Sequence, residues 1–339
     1  MELGILKKEE VRNYFDQTNL VAYSEAFGKF ALSAYESQQS FIGINKGEDL
    51  KAFFPVFERV CRNQKTAEVP LFIYTDIFFV DKNFNLGAKK LGEQLLKFLK
   101  ADVLRFNLYH LNSSDRSNLN YDGLDHIFTA MVADLGRAQN YEEYLAKVLS
   151  KNARSKIYKA CQSGLELTWL TSEDLTVFHQ LYSAHVRMLG SRPHSLEYFQ
   201  KMLAAYTPGR DLFMMGAKKN GRLITANLFV INKDYMEVRF LADDLDLRHL
   251  FPNNFLYAKM IQWAYGQGIR CIDFGGIPKE MRSNIEFKMS LGAEEWPIYT
   301  KYFFRNSWQK LWFKVGRKWL YWKKYRQQKF IKFIRFVKL

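Results

Sequence analysis

The chain has little of what builds rigid chemical sites. Its 339 residues include three cysteines, Cys61, Cys161 and Cys271, and six histidines. An odd, widely spaced cysteine set excludes a disulfide framework and fits a reducing compartment. The histidines are scattered, and no His, Cys or carboxylate group has ligand spacing, so no metal site is expected. No Ser/His/Asp or Cys/His pattern argues for a covalent intermediate. No apolar run reaches the ~18 to 20 residues that cross a bilayer. The longest, from Leu71 to Val80, is interrupted by Asp76 and reads as paired strands. The opening MELGILKKEEVRNYFDQ has charges where a secretory signal has its apolar core. The expected setting is cytoplasmic, in solution or peripheral on the cytoplasmic membrane face.

Acid is missing from one region altogether. Ser307 to Leu339 hold eleven Lys or Arg and no Asp or Glu, so +11 of the formal +15 lies there and the rest of the chain carries +4. What remains is an ordinary globule: 48% hydrophobic residues and 25% charged exclude disorder, and the length suits two domains. The 16% aromatic share predicts thick cores and an aromatic-lined groove.

Along the chain, residues 9–36 read as helical, and 40–60 as a hairpin turning at Lys46-Gly47-Glu48-Asp49. A strand lies within 71–80, a helix over 86–100 and strands over 103–111 and 127–132. A second unit starts near Asn140 with a basic helix over 141–163, then a strand over 165–170 and helices to Leu189 and from Ser195. Asn220-Gly221 has the tight-turn signature of a hairpin, and Lys233-Asp234 leads into a third strand. Asn253 or Asn254 is expected to cap the next helix. The first unit echoes this order faintly, as an internal duplication would. The expected domains are 1–139, 140–306 and a tail, 307–339.

The stretch from Cys271 to Glu295 draws most attention: a short strand ending in Asp273-Phe274, the pair Gly275-Gly276, a polar loop, and a helix with Phe287 and Lys288 that stops at Gly292. Asp273 sits where ligands gather in open α/β sheets. It suits either a base for an amine or a turn cap for the following N–H groups. Asp243, Asp244 and Asp246 are rival bases, though three acids after a strand more often form a solvated turn. Asn227 and Arg239 lie on adjacent strands and either line one groove together or face water.

Four segments carry a resemblance: Asn152-Ala153-Arg154-Ser155-Lys156-Ile157, the strands over 223–243, the helix and strand over 256–276, and Phe287-Lys288 with Gly292. They resemble the GNAT acyltransferase superfamily, and within it the FemAB, peptidoglycan-bridge-like branch with tandem GNAT-type domains. The resemblance implies an α/β fold of mixed sheets, two tandem GNAT-like domains plus the basic tail helix. It implies transfer of an acyl or aminoacyl group to an amine of a cell-envelope precursor. The donor would be acyl-CoA or aminoacyl-tRNA, with no tightly bound cofactor and a lipid- or nucleotide-linked acceptor. Lys288 would neutralise a developing oxyanion and Asp273 take the amine proton. Arg239, Asn227, Arg154, Lys156, Asn254, Tyr257, Phe287, Gly275 and Gly276 would bind substrate. One departure stands out. The superfamily's glycine-rich pyrophosphate turn is replaced by RHLFPNN, glycine-free and with Pro252, which has no N–H.

In the tail, Trp308, Trp312, Trp319 and Trp322 share a helical arc flanked by lysines such as Lys314 and Lys318. That pattern suits an anionic membrane surface, or an RNA stacked on aromatics, or docking on the protein's own body.

Overall fold

The computed structural model describes residues 1–15, 18, 20–61, 63–69, 77–108 and 119–315. The tail residues Lys318, Trp319 and Trp322 lie outside the described residues.

The first unit comprises β1 (Glu2–Leu6), α1 (Lys8–Phe15), α2 (Glu25–Tyr35), β2 (Gln38–Lys46), β3 (Asp49–Cys61), β4 (Gln64–Val69), β5 (Phe78–Phe79), β6 (Leu86–Gly87), α3 (Ala88–Phe98), β7 (Val103–Leu108), β8 (Leu119–Asn120) and β9 (Asp125–Asp134). The expected 9–36 helix is two. Between them the chain passes through a 3-10 turn, and the Ser24 hydroxyl caps α2 by accepting from the Phe27 N–H at 3.1 Å.

The second unit comprises α4 (Tyr141–Lys147), α5 (Lys151–Gln162), β10 (Glu166–Leu170), α6 (Leu175–Met188), α7 (Leu196–Ala205), β11 (Leu212–Lys219), β12 (Arg222–Asn232), β13 (Tyr235–Asp243), α8 (Pro252–Gly266), β14 (Cys271–Pro278), α9 (Arg282–Ser290) and β15 (Glu294–Phe304). The expected helix over 141–163 breaks at Ser150, whose hydroxyl caps α5 by accepting from the Ala153 N–H. Asn220 and Gly221 have φ of 50° and 75°, the left-handed pair that a two-residue hairpin turn needs.

One 13-stranded mixed sheet runs through both units in the order β1-β2-β3-β4-β7-β15-β9-β14-β13-β12-β11-β10, with β5 on β3. β9, the last strand of the first unit, is hydrogen-bonded between β14 and β15 of the second. The chain boundary near residue 139 is therefore not a boundary in the sheet. Over the second unit the sheet is covered on both sides. α4, α5, α8 and α9 pack on one face with Met236, Val238, Ile272 and Phe274. α6 and α7 cover the other face, joined by α2 of the first unit, around Tyr235, Leu228 and Ala242.

Candidate functional site

β13 and β14 are parallel and pair only at Tyr235↔Cys271, Met236↔Ile272 and Glu237↔Asp273. Beyond that point β13 runs on to Asp243 and β14 to Pro278 without pairing to each other. β13 also has a bulge: Leu228 faces Phe240 but Phe229 faces Val238, so Arg239 is the extra residue. The sheet is thus parted at the carboxyl ends of two strands, and the amino end of α8 follows directly.

The approach to α8 is a 3-10 turn, Leu245–Leu250, ending at Phe251 with φ 54° and then Pro252 at the first helical position. Proline is suited to that position because its fixed φ matches the helix and no partner is needed there. Phe251, not an asparagine, therefore occupies the cap. Both asparagines are released for other contacts. The Asn253 side chain accepts from the Thr225 hydroxyl at 2.9 Å and donates to Asp243 Oδ2 at 3.1 Å. Asn254 lies one helical turn before Tyr257, on the same side of α8. It is buried, and its Nδ2 has no hydrogen-bond partner.

Five expected residues meet here: Lys288, Tyr257, Phe287, Asn227 and Asn254. Lys288 is 8% exposed, and its Nζ lies 3.5 Å from the centroid of the Tyr257 ring, 4.9 Å from Phe274 and 5.3 Å from Phe287. It has no salt bridge to any carboxylate among the described residues. Burial without a counter-charge pushes its pKa well below the usual lysine range. The three ring faces oppose this by favouring the cation, by roughly 0.5–2 kcal/mol each, which is less than a full desolvation penalty. Asn227 is fully buried on β12, and the Tyr257 hydroxyl lies near it. The geometry falls short of a hydrogen bond, leaving both atoms of the Asn227 amide without a partner.

Asp243 belongs to the same cluster, opposite Thr225 in the sheet. Of the three acids expected in a solvated turn, only Asp246 is exposed, and the Asp244 side chain is 10% exposed and paired with Arg222. Asp243 is buried, its Oδ1 has no partner, and Oδ2 has Asn253 and, at 3.7 Å, the exposed Arg248 Nε. Burial raises its pKa to about 6 against these weaker opposing contacts. The sequence signal was faint: an acid that ends an alternating strand reads equally as the first residue of a turn.

Asp273 and Arg239 are on the other side of the sheet. Asp273 is fully buried, with Oδ2 accepting from the Tyr235 hydroxyl at 2.7 Å and Oδ1 from the Gly275 N–H at 2.8 Å. Its neighbours Ile272 and Phe274 point toward α8 and Lys288, so strand alternation aims Asp273 away from them. Of the two roles expected for it, base and turn cap, these contacts are those of the turn cap. Arg239 alternates in phase with Tyr235 and Glu237, on the face away from Asn227, and the bulge shifts the phase after it so that Leu241 and Asp243 fall on the Asn227 side. The guanidinium is buried against Glu237 and over the Phe27 ring of α2, 5.8 Å from its centroid. Arg239 and Asn227 do not line one groove.

The remaining expected residues divide. Arg154 donates to the backbone carbonyls of Leu145 and Ala146, finishing α4 rather than reaching for a ligand. Lys156 sits over the Phe251 ring, 5.9 Å from its centroid, and so beside the start of α8. Gly275 has φ 91°, a conformation that suits glycine, and its N–H serves Asp273, while Gly276 is exposed. Residues 307–315 are helical, with Trp308 71% and Trp312 70% exposed and Lys314 exposed. No group of three or more His, Cys, Asp or Glu suited to a metal occurs among the described residues. None of their helices is long and apolar enough to cross a membrane.

Residues 148–295 match the family described as acetyltransferase (GNAT) domain. A curated relative, the UDP-N-acetylmuramoylpentapeptide-lysine N(6)-alanyltransferase of Weissella viridescens, is 26% identical over 152 residues, 44% of this chain and 44% of that protein. The match thus spans less than half of that relative. Among solved structures, FemX superposes with a TM-score of 0.63 at 14% identity, covering 88% of this chain and 97% of FemX. A tandem GNAT protein from the clavulanic acid biosynthesis pathway superposes with a TM-score of 0.51 at 13% identity, covering 89% and 98%. The segment 148–295, which holds α8, β14 and Lys288, is thus similar to a GNAT acetyltransferase domain, and the chain shares the fold of FemX and of the tandem GNAT protein.

Proposed function

We propose that the chain transfers an aminoacyl group from aminoacyl-tRNA to an amine of a cell-envelope precursor at the cytoplasmic membrane face. The observation that carries this reading is the cluster at the parted strands: a buried Lys288 without an acid partner, beside the unpartnered amide donors of Asn227 and Asn254. An acyl carbonyl lodged there becomes an oxyanion when an amine attacks, and donors fixed in a water-poor site favour that oxyanion over the ground state. Lys288, whose pKa burial pushes down, accepts the proton that the attacking nitrogen loses. The resulting ammonium neutralises the oxyanion and then gives its proton to the departing ribose oxygen. Asp273 has no part in this. Support for the aminoacyl donor comes from Pro252 and the glycine-free turn, which offer few N–H groups to a pyrophosphate, and from the alanyl-transfer activity of the Weissella relative.

The test is single-turnover transfer from alanyl-tRNA to a lysine-containing muramoyl peptide precursor. Wild type should transfer, and Lys288→Met should be slower by ~10²–10³-fold, the range for loss of one oxyanion donor. A thermal shift with CoA and none with tRNA would sink this version. An acyl-CoA donor is the second reading, favoured by Lys156 beside the start of α8, a position suited to phosphate. No response to either donor, with wild-type behaviour of Lys288→Ala in cells, supports a non-catalytic adaptor instead.

The tail belongs to this proposal. Phe313 packs on Tyr302 and Phe304, and Gln309 Nε2 donates to Asp102 at 2.8 Å, tying one side of the helix to the body. Trp308, Leu311, Trp312 and Val315, spaced as one stripe, are exposed between Lys310 and Lys314. That stripe suits an anionic lipid surface. Vesicles rich in phosphatidylglycerol should sediment the full chain and not a chain lacking 307–339; equal sedimentation refutes the membrane role.

A further inference from the structure

We infer that Asn227, Asp243, Asn254 and Tyr257 form a subsite that reads the free α-ammonium of an aminoacyl donor. Aminoacyl groups would be accepted, and simple acyl or N-blocked aminoacyl groups refused. The inference rests on the aminoacyl reading above and names the feature of the donor that this site selects.

The argument starts from unpaired atoms. A buried donor or acceptor without a partner is costly, so several at one place point to a ligand that completes them. Asn227 Nδ2 and Oδ1, Asp243 Oδ1 and Asn254 Nδ2 are all buried and without a partner among the described residues. They are brought together by the fold: Thr225 pairs with Asp243 and Asn227 with Leu241 in the β12–β13 ladder, while Asn253 of α8 bridges Thr225 and Asp243.

The chemical sort of these atoms narrows the ligand. Asp243 Oδ1, Asn227 Oδ1 and the Tyr257 hydroxyl oxygen are three acceptors, one for each N–H of a primary ammonium. The Asn227 and Asn254 amide nitrogens are donors suited to a carbonyl oxygen. An ammonium one carbon away from a carbonyl is the defining part of an aminoacyl group. A ligand hydroxyl would supply a single donor and leave the Asp243 charge uncompensated. A phosphate or carboxylate would meet that charge head-on. Existing compensation is slight, since Arg248 is more than half exposed and stands at 3.7 Å.

Asp243 is faced by Asn227 and Thr225 from β12, Asn253 and Tyr257 from α8, and Asp244 and Arg248 from the turn before α8. Lys288 lies beyond the Tyr257 ring. A bound ammonium adds the strongest favourable charge to this set. Binding should therefore tighten as pH rises through about 6, where the buried carboxyl ionises.

The test uses the full chain and two stable probes, 3′-deoxy-3′-(L-alanylamino)adenosine and the same compound with its alanyl nitrogen acetylated. Calorimetry at pH 7.5 should show wild type binding the free-amine probe ~10–100-fold more tightly, as charge-assisted hydrogen bonds imply. Asp243→Asn should lose that preference, and Asn227→Leu should weaken both probes. A preference in wild type that collapses at pH 5 supports the assignment even where the Asp243 variant does not fold. Equal binding of the two probes by wild type overturns it, as does a preference that survives in Asp243→Asn. Binding of CoA with neither probe bound refutes the aminoacyl reading itself, an outcome distinct from equal binding of the two probes.

Discussion

The two faces of the sheet beside β13 and β14 hold polar clusters of similar composition and opposite state. On the face toward α2, α6 and α7, Asp273 has both oxygens bonded, Arg239 is paired with Glu237, and the Tyr35 hydroxyl donates to Tyr198 at 2.7 Å. The Tyr206 hydroxyl is the member of that group left without a partner. On the face toward α8 and α9, Asn227, Asp243 and Asn254 keep atoms unpaired among the described residues, and Lys288 has ring faces and no carboxylate there. A satisfied buried cluster holds a fold together. An unsatisfied one costs stability and is kept where a ligand completes it. Titratable residues on the two faces look alike in sequence, and their partners tell them apart.

Mutations on the two faces should therefore move different readouts. The largest effect is expected for Lys288→Met: transfer slowed by ~10²–10³-fold, with an unfolding temperature equal to wild type or higher, because a buried amine has been replaced by an apolar side chain of similar length. A fall in both together would make Lys288 structural. Arg239→Met should do the reverse. Leaving Glu237 buried without its cation costs ~3–5 kcal/mol of stability, seen as a lower denaturant midpoint, with kcat of the folded fraction little changed. Asp273→Ala leaves the Tyr235 hydroxyl and the Gly275 N–H unpaired and should cost ~2–4 kcal/mol by the same measurement. A selective loss of kcat in either variant erases the contrast between the faces.

Asp243→Asn sharpens the contrast through pH. The folded carboxyl is raised from 3.8 to about 6, so folding favours the protonated form. Its contribution to stability is full below pH 3.8 and is lost as pH rises through about 6. The asparagine variant should be the more stable protein at pH 7.5, by up to ~3 kcal/mol for a shift of this size, and the advantage should disappear below pH 4. Unfolding curves at pH 7.5 and 3.8 check the sign. The smallest effect is expected for Arg154→Ala, ~1 kcal/mol from the lost contacts to the end of α4, with transfer unchanged.

Much of this was legible in the sequence where the signals are local. The Asn220-Gly221 hairpin and α8 follow from turn chemistry and periodicity over a few residues, while the Phe287-Lys288 pair was singled out by the family resemblance. Ser150 and Pro252 were also readable, as a helix cap within an apparently continuous helix and as a first-turn proline that displaces the asparagines from the cap. Facing was harder. Regular alternation from Tyr235 puts Arg239 and Asp243 on one face, and a single bulged residue moves Asp243 to the Asn227 side without any glycine or proline to mark it. The insertion of β9 between β14 and β15 is hidden for a different reason, since it depends on pairing between strands more than a hundred residues apart. Asp243 was obscured because burial, which sets its character, is a property of the packed helix above it.

The most direct measurement of the central claim is a crystal structure with 3′-deoxy-3′-(L-alanylamino)adenosine bound. The alanyl group should lie between the parted strands, with its ammonium on Asp243, Asn227 and Tyr257 and its carbonyl oxygen toward Asn254 and Lys288. An alanyl group bound on the Asp273 and Arg239 face would contradict the account.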